Sequence, residues 1–260
     1  MSMAGHSPSL GRAGRTISAL MLREMATNYG RTPGGYLWAI LEPVAGIALI
    51  TLFFSLAFRQ PPIGEHFTLF YASGILPFTM YKDLSTKIGR AISFNEKLLS
   101  YPSVTFMDAI LARLVLNALT QVMIFCLMFG AILLFTGTDL RHLNPSMIAL
   151  ALCGVIVFSF GIGVMNALLF EKLPVWEQIW AILNRPMFLI STIFYQFENI
   201  PDAFRPILWF NPLVHIVGVM RRGIYPTYDA DFVSLPYIFG PPLVLSAFGI
   251  LFLRAFHNGQ

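Results

Sequence analysis

A chain of 260 residues with 56% hydrophobic and only 12% charged side chains holds about half the roughly 25% charge of an ordinary soluble domain. Too little polar surface is available to cover a water-soluble globule of this size. The net charge of +4 is spread thinly between apolar runs, which excludes a nucleic-acid-binding patch and leaves the lipid bilayer as the solvent.

The runs themselves are long. Residues 114–138, 143–170 and 232–253 contain no Asp, Glu, Lys or Arg, and each exceeds or approaches the ~20 apolar residues that a helix needs to cross a bilayer. Hydropathy predicts an all-α integral membrane protein with six transmembrane helices, at roughly 36–58, 67–88, 107–136, 146–170, 179–197 and 235–254. The second and fifth carry the weakest signal. Only fifteen uncharged residues, Phe67 to Tyr81, precede Lys82 in the second, and the fifth contains Arg185 followed by Pro186. The polar stretch Met1 to Arg15 has no apolar core or small-residue cleavage site, so the first span is expected to direct insertion.

Ahead of that span, Ile17, Met21, Met25 and Tyr29 recur at i, i+4 spacing with Arg23, Thr27 and Arg31 on another side. This pattern over 12–31 predicts an amphipathic helix in the cytoplasmic interface, with Arg15, Arg23 and Arg31 as its basic contacts, although Leu20 falls on the polar side. The span opens Gly34-Gly35-Tyr36-Leu37-Trp38-Ala39-Ile40-Leu41-Glu42-Pro43. An ionisable residue this near the membrane must be paired or watered, which marks Glu42. In the loop 89–106, Ser93 to Pro102 reads as a short helix with a proline stop. Leucines on one side give it the makeup of a docking element: Asn95, Glu96, Lys97, Leu98, Leu99 and Tyr101.

Span four carries Ala151, Val155, Ser159, Gly163 and Ala167 at i+4 steps, a stripe of mostly small residues that admits a second helix closely. Between spans five and six, two apolar stretches are broken by Pro206 and by Asn211-Pro212. The piece from Pro212 to Met220 would measure ~14 Å as a helix, half a bilayer. Segment 201–225 is therefore predicted to be a re-entrant helical hairpin dipping in from the outer face, with an interfacial loop holding Trp209 and Phe210 at headgroup level as the other reading. Asn211 is placed to cap its second helix and Pro212 to start it, with Arg221 and Arg222 at the far end.

Orientation follows from the basic residues. With both termini inside, twelve of the seventeen Lys and Arg lie in cytoplasmic segments or helix ends, and Arg59, Arg141, Arg205, Arg221 and Arg222 lie outside. No G-x-x-x-x-G-K-[ST] loop, H-E-x-x-H or paired acidic motif occurs, and His6, His66, His142, His215 and His257 are scattered. No cofactor or metal is expected on this chain, and energy for any driven process must come from another. Cys126 and Cys153, both inside apolar runs, read as packing.

Leu22-Arg23-Glu24, Gly35-Tyr36-Leu37-Trp38-Ala39-Ile40-Leu41-Glu42-Pro43, Gly74-Ile75-Leu76-Pro77-Phe78 and Trp209-Phe210-Asn211-Pro212-Leu213-Val214-His215 resemble, in order and over nearly the whole chain, the permease subunits of type-2 ABC exporters. Within that group the likeness is greatest to the capsular-polysaccharide export permeases. The resemblance implies a homodimer with two cytoplasmic ATPase subunits that bind ATP and Mg, an interface helix at 12–31 and a coupling helix at 93–102. It also implies that this chain lies in a bacterial inner membrane with re-entrant outer helices at 201–225, and that it works with a periplasmic co-polymerase or adaptor and an outer-membrane export protein.

The expected activity is outward transport of a lipid-linked, capsule-like polysaccharide along the dimer interface. Sugars stack their C–H faces on rings, so Tyr36, Trp38, Phe67, Phe70, Tyr71, Phe78 and Tyr81 are expected to line the path, with Glu42, Asn211, Pro212, Arg221 and Arg222 as gate residues. Rival readings are an exporter of O-antigen, teichoic acid, lipid or drug, a membrane glycosyl- or acyltransferase, and a scaffold without transport. The enzyme reading would need acidic or histidine clusters at one membrane face, which the sequence lacks.

Overall fold

Backbone groups cannot turn to water inside a bilayer, so a chain this poor in polar side chains satisfies them within each segment, as helix. The computed structural model describes residues 10–28, 35–101 and 104–257. No strand occurs among the described residues. The helices in chain order are α1 (Leu10–Asn28), α2 (Gly35–Ala57), α3 (Phe67–Gly89), α4 (Ala91–Leu99), α5 (Phe106–Thr136), α6 (Pro145–Lys172), α7 (Pro174–Ile190), α8 (Arg205–Trp209), α9 (Pro212–Ile224) and α10 (Leu235–His257).

Local chemistry sets several boundaries. Thr105 and Asp108 form a reciprocal capping box at the start of α5, which stops at Gly137 in the left-handed region, φ 64. Asn144-Pro145 and Asn211-Pro212 start α6 and α9 in the same way. The asparagine side chain accepts from a free N–H of the first turn, and the proline takes a position that has no N–H to satisfy. By length and composition, four helices among the described residues can cross a membrane: Ile40–Ala57, Phe106–Thr136, Pro145–Lys172 and Leu235–Phe256. The other two expected spans fall short for visible reasons. α3 runs 23 residues but carries Lys82, Asp83 and Lys87 in its second half, and α7 is 17 residues long.

α6 is the centre of the bundle, packed against α3, α9 and α10. Its predicted stripe, Ala151, Val155, Ser159, Gly163 and Ala167, is buried throughout. A Cβ on Gly163 would come within 2.6 Å of the Ile88 Cβ, and one on Gly161 within 2.8 Å of the Pro242 Cα. Small side chains are what let three helices meet this one. α9 is wedged beside it, and every residue from Leu213 to Ile224 except Arg222 is buried. By contrast α2 buries only Pro43 and Ile47 among its described side chains, and α7 only Asn184. These two helices present bare apolar faces.

Three expectations are corrected. The fifth apolar segment, expected at 179–197, forms helix from Pro174 and leaves it at Ser191. Thr192 there has φ 55. The carbonyls of Ile193 and Tyr195, which a continuing helix would use itself, instead accept hydrogen bonds from Arg221 at 3.0 and 2.9 Å. For α1, the inward face is not the one that periodicity indicates. Leu20 and Glu24 are buried while Leu22 and Met25 are exposed, because α1 packs on α5 and Glu24 finds a charge partner there. Cys126 and Cys153 are free and lie on exposed helix surfaces rather than in packing.

Candidate functional site

The first constellation joins four helices where α3 hands over to α4. Arg113, in the second turn of α5, places its Nε 3.4 Å from Glu24 Oε2 of α1. Its Nη1 donates to the Lys87 carbonyl of α3 at 2.7 Å, and Asn117 donates to Glu24 Oε1 at 3.3 Å. Arg113 also lies over the ring of Phe94 in α4, 4.1 Å from its centroid, with Arg23 of α1 at 5.8 Å from the same ring. Arg23 further donates to Asn95 Oδ1 at 3.2 Å. One aromatic ring thus sits between two guanidiniums. The joint ties α4 to α1 and α5.

Of the docking residues expected in this region, Glu96, Lys97 and Tyr101 are exposed and Leu98 is half-buried. Asn95 is a correction. It is buried and faces α1, since its Oδ1 serves Arg23 and its Nδ2 donates to Ala91. Leu99 leans into the core cluster. Arg15 is exposed on α1, while Arg31 and Pro102 lie outside the described residues. Phe94 falls inside the predicted short helix, but a single aromatic there carries no periodic signal that would mark a role. Arg113 shows as a lone charge between the apolar Ala112 and Leu114, which is the available clue.

The second constellation lies near the amino-terminal end of α3. Arg221 is 1% exposed, donates through Nε to Ser73 Oγ at 3.2 Å and through both Nη to the loop after α7, and covers the Phe70 ring at 4.1 Å. The expectation that Arg221 and Arg222 form an outward pair is corrected, because only Arg222 is exposed. Asn211 accepts from the Leu213 N–H at 3.0 Å and donates to Ser191 Oγ at 3.1 Å. It therefore ties α9 to the end of α7, and Pro212 opens α9. His215 is satisfied on both ring nitrogens: Nδ1 accepts from the Ser234 N–H, so Nε2 carries the hydrogen donated to the Trp209 carbonyl at 2.7 Å.

The ring residues of α3 are also corrected. Phe70, Tyr71, Phe78 and Tyr81 are buried, because α3 is enclosed by α2, α5, α6 and α9. Tyr71 packs on Phe54, Phe78 on Phe188 and Tyr81 on Phe158, with centroids 5.0–5.1 Å apart. Phe67 is half-buried against Tyr71. Trp38 stands 67% exposed on α2, and the side chain of Tyr36 lies outside the described residues.

A third feature separates α2 from α7. A cleft of about 490 Å³ opens between them over α3, walled by Ile50, Ile75, Phe78 and Phe188 and rimmed by Glu42, Lys82, Asn184 and Arg185. Among the described residues no group of three His, Cys, Asp or Glu is placed to hold a metal ion.

Residues 15–225 match the family model described as ABC-2 type transporter, and the chain belongs to that family. It is 31% identical over 239 residues, 92% of both chains, to the polysialic acid transport protein KpsM of Escherichia coli. It is 26% identical to the capsule polysaccharide export inner-membrane protein BexB of Haemophilus influenzae, over 96% of this chain and 94% of that one. A match at 25% identity to the capsule polysaccharide export inner-membrane protein CtrC of Neisseria meningitidis serogroup B covers 94% and 92%.

Proposed function

We propose that this chain is the permease subunit of an ATP-driven exporter that carries a lipid-linked, capsule-like polysaccharide across the bacterial inner membrane. The observation that carries the reading is the end-to-end match to KpsM, a polysialic acid transport protein, supported by the likeness to BexB and CtrC.

In this reading α2, α3, α5, α6, α7 and α10 are the six spans, both termini are cytoplasmic, and α1 lies at the inner interface. The excess of basic residues on that side supports the orientation. α8 and α9 enter from the outer face, a placement favoured by the cover that α3, α6 and α10 give to the short helix α9. ATP and Mg are bound by two partner ATPase subunits, since the sequence has no phosphate-binding loop. The exposed Glu96, Lys97 and Tyr101 and the half-buried Leu98 face those subunits, and the joint at Phe94 carries their stroke to α1 and α5. The chain works as a homodimer, the polymer passing between two copies along faces that include Tyr36, Trp38 and Glu42. A periplasmic adaptor and an outer-membrane export protein extend the route.

Deletion of the gene is expected to abolish surface polysaccharide and to accumulate polymer in the cytoplasm, with recovery on complementation only when the ATPase is functional. Normal surface polymer in the deletion strain would exclude the reading. Glycan analysis of the retained polymer separates capsule from O-antigen or teichoic acid.

A further inference from the structure

A separate cleft of about 440 Å³ opens where the 3₁₀ turn Phe197–Asn199 and the start of α8 meet the loop between α9 and α10. Its size falls within the roughly 300–1,000 Å³ of small-molecule sites, and it shares no lining residue with the cleft between α2 and α7. In the orientation proposed above it lies on the outer side. Phe232 is its apolar wall. That ring is half-buried and stacks on the buried Phe197 with centroids 4.2 Å apart, while the Phe232 carbonyl accepts from Trp209 Nε1 at 3.0 Å. The wall is therefore fixed before anything binds.

The polar rim sets acceptors beside a donor. Glu198, Asp229 and Asp231 line the cleft and are exposed. Tyr228 donates to Glu198 Oε2 at 3.1 Å, whereas among the described residues the carboxylates of Asp229 and Asp231 have neither a hydrogen bond nor an ion pair. Arg205, on the same cleft, gives Nη1 to Asp202 at 2.8 Å and Nη2 to the Glu198 carbonyl at 2.6 Å, and its side chain remains 41% exposed. Its Nε is covered and has no partner, so the guanidinium keeps donors to spare.

A ligand that suits both kinds of group must donate and accept at once. A cation would satisfy the carboxylates but add charge beside Arg205, and among the described residues no three carboxylates or histidines are placed to hold a metal ion. An anion would face three carboxylates. An uncharged hydroxyl meets both needs, since its O–H donates and its lone pairs accept, and a sugar ring carries several hydroxyls beside an apolar C–H face.

We propose that this cleft is a subsite for an uncharged sugar unit at the outer end of the export route. The ring lies against Phe232, neighbouring hydroxyls donate to Asp229 and Asp231, and a hydroxyl oxygen accepts from Arg205. The three carboxylates turn acidic sugar units away. The source of that sugar rests on the export reading, and the chemistry of the cleft does not.

The test is saturation-transfer NMR on the full-length chain in phosphatidylcholine nanodiscs, which carry no sugar. The probes are the methyl glycosides of glucose, galactose, N-acetylglucosamine and glucuronic acid, together with tetralysine. At least one neutral glycoside is expected to bind, and the glucuronic acid glycoside about tenfold more weakly. Asp229→Ala with Asp231→Ala weakens the neutral glycoside about tenfold and, both positions being exposed, leaves the thermal midpoint unchanged. Asp229→Asn with Asp231→Asn keeps the shape and an accepting oxygen, so it retains the neutral sugar and narrows the gap to the acidic one. Glu65→Ala, exposed and outside the cleft, changes nothing. Silence from every neutral glycoside, equal binding of neutral and acidic glycosides by the native chain, or unchanged binding in the double alanine variant overturns the proposal. Tetralysine that binds where no glycoside does also overturns it, and assigns the cleft to a basic segment of a partner protein. The measurement uses neither ATPase nor cellular polymer, so its failure leaves the export reading standing, and normal surface polymer in a deletion strain removes the source of the sugar but not the binding.

Discussion

Glu24 of α1 and Arg113 of α5 lie 3.4 Å apart with side chains 3% and 5% exposed, so the amino-terminal helix is clasped to the bundle by a buried charge pair. Removing one member leaves the other charge uncompensated, at a cost of about 3–5 kcal/mol, whereas replacing both with apolar residues costs far less. Arg113→Leu and Glu24→Leu are each expected to lower the thermal midpoint in detergent sharply, and the double variant to recover much of it. A double variant as weak as the worse single would show that packing, not charge, holds α1.

The same joint separates two kinds of leucine on α4. Both are half-buried, but Leu99 packs against the core cluster while Leu98 sits at the surface beside the exposed Tyr101. Leu98→Asp or Tyr101→Asp is expected to insert and dimerise normally while losing the ATPase on co-purification. Leu99→Asp destabilises the permease itself, by roughly the 2–5 kcal/mol of a damaged core position. Retained ATPase and export in the first two variants would move the docking surface elsewhere on the chain.

Arg221 and Arg222 are adjacent and have opposite surroundings. Lysine cannot reach three acceptors in a fork, so Arg221→Lys loses at least two charge-assisted hydrogen bonds, each worth about 1.5–3 kcal/mol, and is expected to lower protein yield and thermal midpoint together. Arg222→Ala leaves the midpoint within about 0.5 kcal/mol. Any selective loss of acidic polymer should therefore appear with Arg222→Ala alone. Equal loss of acidic and neutral polymers in that variant would assign Arg222 a structural part.

Asn211 both caps α9 and holds the end of α7. Asn211→Ala with Pro212→Ala removes a cap worth about 1 kcal/mol together with the tie to Ser191. Export is expected to fall while dimer and ATPase assembly survive. Wild-type export, measured as surface polymer per cell, would take the hairpin out of the mechanism.

The proposed orientation has a direct check. Single cysteines at Ser93 and Thr138, in a background with Cys126 and Cys153 replaced by Ser, are expected to label differently with an impermeant thiol reagent. Thr138 reacts in intact cells and Ser93 only after permeabilisation. The reverse pattern would invert the topology.

The features legible in the sequence are those that act on one segment at a time. Charge-free runs in α5, α6 and α10 announce membrane helices because transfer to lipid depends on the composition of the segment alone. Asn211-Pro212 announces the start of α9 because a cap is a contact between near neighbours. The small residues of α6 announce close approach, though not which helices approach. Other features were settled only by the tertiary structure: that Arg221 turns inward to take the carbonyls of Ile193 and Tyr195 and so ends α7 early, that Leu20 and Glu24 rather than Met25 face the bundle, and that the rings of α3 are core. Each depends on a partner far away in the chain, and a charged or aromatic side chain has no intrinsic burial until that partner is in place to satisfy it.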